Sequence, residues 1–257
     1  MSTYVDEGVV LRRVDYGEAD RILTVLTRQH GKIGVIAKAV RRSGSHLASH
    51  SDLFARSTMQ IARGRGELDV LVQAQRAGPV PPAGDARRAA CAALCAELAD
   101  RVLEGGHPLD EGLYELVAAA LEECADSSRD PRAAVAWFAR RMIDRLGYAP
   151  ELRNCAGCSR VLDEVPAHFS AAGGGLLCDA CAAADPGAVP CPVRVIKVLR
   201  VMEAEDAGLY ARLRLDAPTL EVLETVVERE LEQHVDRRLR SLGVMRSLWT
   251  AGTPGYP

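Results

Sequence analysis

Aromatic residues are scarce in this chain: two Trp, six Tyr and three Phe make up 4% of 257 residues. With alanine abundant, that scarcity favours helices over a large sheet protein. Long apolar runs are missing as well. None approaches the ~18 residues of a membrane span, and no basic-then-apolar leader precedes Tyr4. The expected compartment is therefore a reducing cytoplasm, where paired cysteines are more often metal ligands or catalytic thiols than disulfides. There is no phosphate loop, no G-x-G-x-x-G and no G-x-S-x-G, so no catalytic residue is assigned and no enzyme class stands out. Nothing repeats at a fixed period. What remains is a globular composition, 48% hydrophobic and 26% charged, long enough for one large domain or two to three small ones.

Positive charge is also lacking overall, at a net −3, but its distribution is uneven. Residues 1–80 hold twelve Arg or Lys against eight Asp or Glu, a net +4, while the remainder carries −7. A basic start on an acidic body points to a polyanionic partner.

The start reads as strands. "YVDEGVVLRRVDY", "RILTVLTR", "IGVIAKAV", "LFARSTMQIA" and "ELDVLVQAQ" are short, Val-rich and alternating, and Ala39 continues the alternation of Ile33, Val35 and Ala37. A small antiparallel barrel is the closure that leaves fewest edges. After the linker "GPVPPAGD" the period turns helical. Helices are expected over "DARRAACAALCAELADRVLEGG", over 109–125, from the Asp130 cap and Pro131 onward, over "PVRVIKVLRVMEAE", and over "APTLEVLETVVERELEQHVDRRLRSLG". The division expected is a barrel at 1–80, helical segments at 84–153 and 186–250, and a cysteine-rich insertion at 154–185.

That insertion carries Cys155, Cys158, Cys178 and Cys181, two C-x2-C pairs with nineteen residues between them. One tight turn aims two thiolates at an ion, and two turns complete the tetrahedron of a structural Zn²⁺. Unligated buried cysteines rarely fall in two such pairs, and neither pair sits at the strand-to-helix junction of a redox dithiol. A zinc deaminase would need H-x-E or C-x-E with P-C-x-x-C; His168 is followed by Phe169 and Ser170, and Asn154 and Leu177 precede the pairs. The metal therefore reads as one structural zinc without an open position. Cys91, Cys95, Cys124 and Cys191 are expected in the core, and His30, His46, His50, His107 and His234 at the surface.

Arg12, Arg13, Lys38, Arg41, Arg42 and Arg65 cluster on or beside the strands and are the candidate DNA-binding face, gripping phosphates without reading sequence. Lys38, alternating with Ala37 and Ala39, is expected to point away from the barrel core. Arg237, Arg238 and Arg240 form an equally charged group elsewhere.

The order of "EGVVLRRVDYGEADRILTVLTRQHGKIGVIAKAVRRSGS", "LGYAPELRNCAGC", "FSAAGGGLLCDAC" and "HVDRRLRSLGVMRSL" resembles the RecO family of bacterial recombination mediators over nearly the whole chain. One departure is Ala39, where the family pattern has a glycine before the paired arginines. The resemblance implies an α+β protein: an N-terminal five-stranded OB-fold barrel, then an α-helical domain with a four-cysteine zinc-finger insertion. It implies binding of single- and double-stranded DNA, annealing of complementary strands, and loading of RecA together with RecR and single-strand DNA-binding protein, in a cytoplasmic, nucleoid-associated setting. It also places a groove for that protein's acidic tail on the helical body, rimmed by Arg140, Arg141 and Arg145 or by Arg194 and Lys197. The same barrel and metal fit a zinc-ribbon RNA-binding or transcription-associated adaptor, and a nucleic-acid hydrolase would need a carboxylate constellation that the chain does not display.

Overall fold

Strands form where Val and Ile alternate with polar residues, and the computed structural model, which describes residues 2–82, 84–103, 111–203, 213–235 and 239–250, shows them closing into a barrel. The strands are β1 (Thr3–Tyr16), β2 (Asp20–Thr27), β3 (Gly31–Ala37), β4 (Arg56–Ala62) and β5 (Asp69–Arg76), in the closed order β1-β2-β3-β5-β4. The inward residues Val10, Leu23, Val25, Val35, Met59, Ile61 and Leu71 make its core. Strand β1 serves two neighbours by bending at a bulge between Val10 and Arg12. Gly8 permits the tight curve, since a Cβ there would lie 2.6 Å from Val25 Cγ1. The barrel is not wholly antiparallel as expected: β3 and β5 run parallel, because the long 38–55 connection carries the chain across before β4.

Two compact units divide the chain, Met1–Val135 with Leu239–Pro257, and Ala136–Arg238. The first holds the barrel, α1 (Ala86–Val102), α2 (Glu111–Ala125), the start of α3 (Pro131–Arg145) and the last helix. Asp85 caps α1, its carboxylate accepting from the Arg87 and Arg88 N–H groups at 3.0 and 3.1 Å. Asp130 caps α3 as expected, taking the Arg132 N–H at 3.0 Å ahead of Pro131. Cys91, Cys95 and Cys124 are buried in α1 and α2.

In the second unit a short sheet, ordered β7-β6-β8, is built from β6 (Ala167–Ser170), β7 (Gly175–Leu177) and β8 (Val189–Cys191), followed by α5 (Val193–Glu203) and α6 (Ala217–His234); α4 (Asp179–Ala182) is a single turn. The helix expected over 217–243 is two: α6 ends at the extended Val235, and α7 spans Arg240–Thr250 in the first unit. There Glu97 of α1 receives the Arg240 and Ser241 N–H groups at 3.1 and 2.8 Å, and the Trp249 ring lies between the Arg87 and Arg132 guanidiniums at 5.2 and 5.3 Å. His107, Arg237 and Arg238 lie outside the described residues.

One side chain contradicts its polarity. Arg140, expected at a groove rim, is fully buried in the second unit, hydrogen-bonded to Glu230 and Asp144 and donating to Tyr148 O at 3.2 Å. Arg141 is buried too, donating to Glu203 O at 3.2 Å, whereas Arg145 stays exposed. The histidines also depart from a plain surface role. His30 bonds the buried Asp6 carboxylate at 2.7 Å, and the His234 ring stacks on Tyr148 at 4.2 Å.

Candidate metal centre and nucleic-acid interface

The two cysteine pairs converge from different local structures. Cys155 and Cys158 sit in a turn closed by Ser159 N–H to Cys155 O and Cys155 N–H to Arg160 O, both 2.7 Å, with Ser159 at φ 59°. Cys178 follows β7 and begins the turn of α4 that carries Cys181. The Ala156 N–H donates to Leu176 O at 2.8 Å, which ties the first turn to β7. Close approach demands glycine at two points. A Cβ on Gly157 would stand 3.1 Å from Cys181 Sγ, and Gly175, at φ 154°, would drive one to 2.3 Å from Glu151 O.

The four Sγ atoms lie within 4.8 Å of one another, and Cys178 Sγ is 3.8 Å from both Cys155 Sγ and Cys158 Sγ. A disulfide needs ~2.05 Å. A tetrahedron with metal–sulfur bonds of ~2.3 Å has edges of about 3.8 Å, so the spacing fits one four-coordinate ion. Burial would raise the Cys155 thiol, but the N–H groups of Cys178, Cys158 and Gly157 bring it down to about 6. Hydrogen bonds to Cys155, Cys178 and Cys158 push Cys181 up to about 12. Without a cation the cluster thus favours a thiolate at Cys155 and keeps the proton on Cys181, and an ion that displaces that proton supplies positive charge. Cys191 is outside the cluster, at the end of β8 opposite Ala167 of β6, its thiol raised to about 12 by burial.

Of the six basic candidates, Lys38, Arg41 and Arg42 come together in the turn after β3. The strand stops at Ala37 rather than continuing through Ala39, where Asp20 Oδ1 accepts the Ala39 N–H at 2.7 Å and the backbone turns left-handed, φ 52°. The Arg41 N–H donates to Ala19 O at 2.9 Å and its guanidinium to Gly17 O at 3.3 Å, which lays the turn along the β1–β2 connection. All three are exposed; Arg41 faces Asp15 at 3.4 Å, whereas Lys38 and Arg42 have no carboxylate partner among the described residues. Arg12 and Arg13 diverge. Arg13 pairs in register with the buried Leu23 and so takes the inward side, where the open barrel end gives it Asp52. Arg12 points outward to Asp100 of α1 at 3.4 Å. Arg65 stands exposed in the β4–β5 turn, again without a carboxylate partner among the described residues. The carboxylates Asp15, Asp52 and Asp100 that answer Arg41, Arg13 and Arg12 escaped sequence reasoning, because each depends on a pairing made only in three dimensions.

Ala39 supplies a direct test of this turn. A left-handed alanine costs about 1–2 kcal/mol, partly offset because glycine gains entropy on unfolding. Ala39→Gly is therefore expected to raise the melting temperature by about 1–3 °C. A lower melting temperature in thermal unfolding would contradict the turn geometry.

Among the described residues no helix is long and apolar enough to cross a membrane, and the four cysteines are the group placed to hold a metal. Comparison with known proteins matches both parts of the chain. The family described as Recombination protein O N terminal matches residues 1–79, and Recombination protein O C terminal matches residues 83–243. A relative named DNA repair protein RecO from Bifidobacterium longum (strain NCC 2705) is 35% identical over 249 residues, 96% of this chain and 100% of that protein. Another of that name, from Desulforudis audaxviator (strain MP104C), is 35% identical over 250 residues, covering 96% and 98%. A third, from Bacillus velezensis (strain DSM 23117 / BGSC 10A6 / LMG 26770 / FZB42), is 32% identical over 236 residues, 91% of each.

Proposed function

Because the chain belongs to the RecO family of DNA repair proteins, we propose that it is a recombination mediator that anneals complementary single strands and, with RecR, helps load RecA onto DNA held by single-strand DNA-binding protein. The match along both parts of the chain carries this reading. It works by binding and not by catalysis, on single and double strands at the nucleoid. Cations on the barrel neutralise phosphates of two strands and so lower the repulsion that keeps complements apart. Zn²⁺ on Cys155, Cys158, Cys178 and Cys181 supplies folding free energy to a segment too small for its own core. Residues 1–80 serve as the DNA module and 154–185 as the zinc module, set in helical segments 84–153 and 186–250.

The acidic tail of single-strand DNA-binding protein belongs on the helical body. The burial of Arg140 and Arg141 disfavours their rim, and a hollow of about 390 Å³ lined by Val193, Val198, Val201, Leu213 and Leu215 with Arg194, Lys197 and Arg214 suits an apolar, acidic peptide better.

DNA binding tests the reading. Arg12, Arg13, Lys38, Arg41, Arg42 and Arg65 are the candidate contacts, of which Lys38, Arg41 and Arg42 share one turn. Each phosphate contact adds about 0.7 to the salt slope on single strands, so replacing these three by Ala should flatten it by about 2 and weaken all sequences alike. Salt titrations of oligonucleotide binding measure both. A greater loss from Arg194→Ala with Lys197→Ala would move the interface off the barrel.

A further inference from the structure

Charge alone does not account for the outer face of the barrel. After the β1 bulge, Val14 pairs with Ile22, Ile22 with Ile36 and Ile36 with Val70, so one apolar row crosses four strands. Its inner neighbours Leu23, Val35 and Leu71 are buried in the core, which fixes this row on the outside. Farther along the same face, the Val9–Leu26 rung is buried, with α1 reaching Lys32 and Arg12 through Asp100. Past Arg12 that cover ends. Val14 is 50% exposed, Tyr16 at the strand tip 56%, and Ile22, Ile36 and Val70 half-buried.

Tyr16 is also the available ring. Tyr4 donates its hydroxyl to Asp69 at 2.8 Å and lies under the Arg63 guanidinium at 4.6 Å, and Phe54 is half-buried in the turn before β4. Cations bracket the row. Lys38, Arg41 and Arg42 follow Ile36 along one side of it. Arg12 stands two residues before Val14 along the other, where the β4–β5 turn bearing Arg65 sets Leu68 so near Gly34 that a Cβ would meet it at 2.7 Å. Three interstrand steps of about 4.8 Å give a floor of about 14 Å, room for about four bases at 3.4 Å spacing. Duplex DNA hides its base faces and would touch only the cations.

We propose that this uncovered face of β1–β3, with Tyr16 at its tip, is a floor on which unpaired bases stack while the flanking cations hold the phosphates. The inference rests on the DNA-binding reading above and adds what distinguishes single strands from duplex. Stacking on one ring is sequence-tolerant and changes affinity by roughly tenfold. The full-length protein should therefore bind a thymidine oligonucleotide roughly tenfold more tightly than an abasic strand of equal length, by fluorescence anisotropy. Tyr16→Ala should abolish that preference without altering the salt slope, the duplex affinity or the melting temperature; Tyr16→Phe should keep it. If the wild type binds both strands equally, or Tyr16→Ala keeps the preference while the Lys38, Arg41 and Arg42 triple variant loses affinity, the floor is wrong and the cationic interface stands. If neither variant changes DNA binding, the barrel is not the DNA site and both readings fall.

Discussion

Cys178→Ser is expected to leave well under one zinc per chain and to lower the melting temperature by about 10–20 °C. Cys178 Sγ stands 3.8 Å from two other cysteine sulfurs of the cluster, and its backbone N–H donates to Cys155 Sγ at 3.3 Å, so it joins the two turns. The surrounding sheet has strands of only three or four residues, with Ala167, Phe169, Leu176, Leu177 and Cys191 as its buried apolar content. Structural zinc contributes about 10–16 kcal/mol in isolated fingers; even about 5 kcal/mol at 2–4 °C per kcal/mol gives the stated drop. Cys91→Ser, on α1 in the other unit, should keep the metal. Metal analysis decides: a wild-type protein purified with well under one zinc per chain ends the assignment.

Arg140→Ala should cost about 3–5 kcal/mol, the usual penalty for stranding one member of a buried ion pair. Arg140 Nε and Glu230 Oε2 already lack hydrogen-bond partners among the described residues, so no reserve contact shelters the survivor. Burial raises the Glu230 carboxyl to about 7 despite the opposing Arg140 charge. Its folded pKa thus exceeds its unfolded value of about 4.5. The folded state binds more protons between those values, so the contribution from Glu230 is complete below about 4.5 and fades as pH rises through about 7. Removing the cation pushes Glu230 higher still. The melting-temperature gap between wild type and Arg140→Ala should accordingly widen from pH 5 to pH 8. A gap that narrows over that range would place the charge elsewhere, and Arg140→Met with Glu230→Leu should recover much of the loss.

The strands and the convergence of the four cysteines were legible because their signals are local. Period-two alternation marks a strand within eight residues, and a C-x2-C turn holds both its cysteines in four. The parallel β3–β5 pairing was not, since it depends on where the 38–55 connection delivers the chain. Nor was the burial of Arg140: it was expected at a groove rim, and of its two carboxylate partners only Asp144 is near in sequence, Glu230 lying ninety residues on. Lys38 was placed outward by an alternation that the strand does not sustain, and it is exposed because the chain turns at Ala39. The helix break after His234 carried no Gly or Pro to announce it.

The return of α7 to α1 has a consequence for synthesis on the ribosome. The unit containing the barrel is completed only by residues after Leu239, whereas the unit from Ala136 to Arg238 is continuous in sequence. At about 5–20 residues per second, β5 precedes the end of α7 by roughly 10–30 s. Throughout that interval Glu97 lacks its Ser241 and Arg240 donors, and the Arg87 and Arg132 guanidiniums have no Trp249 ring between them. The segment first to be translated is thus the last to be sealed, and a chain stalled or clipped after residue 238 carries its four-cysteine unit whole but leaves the flank of α1 bare.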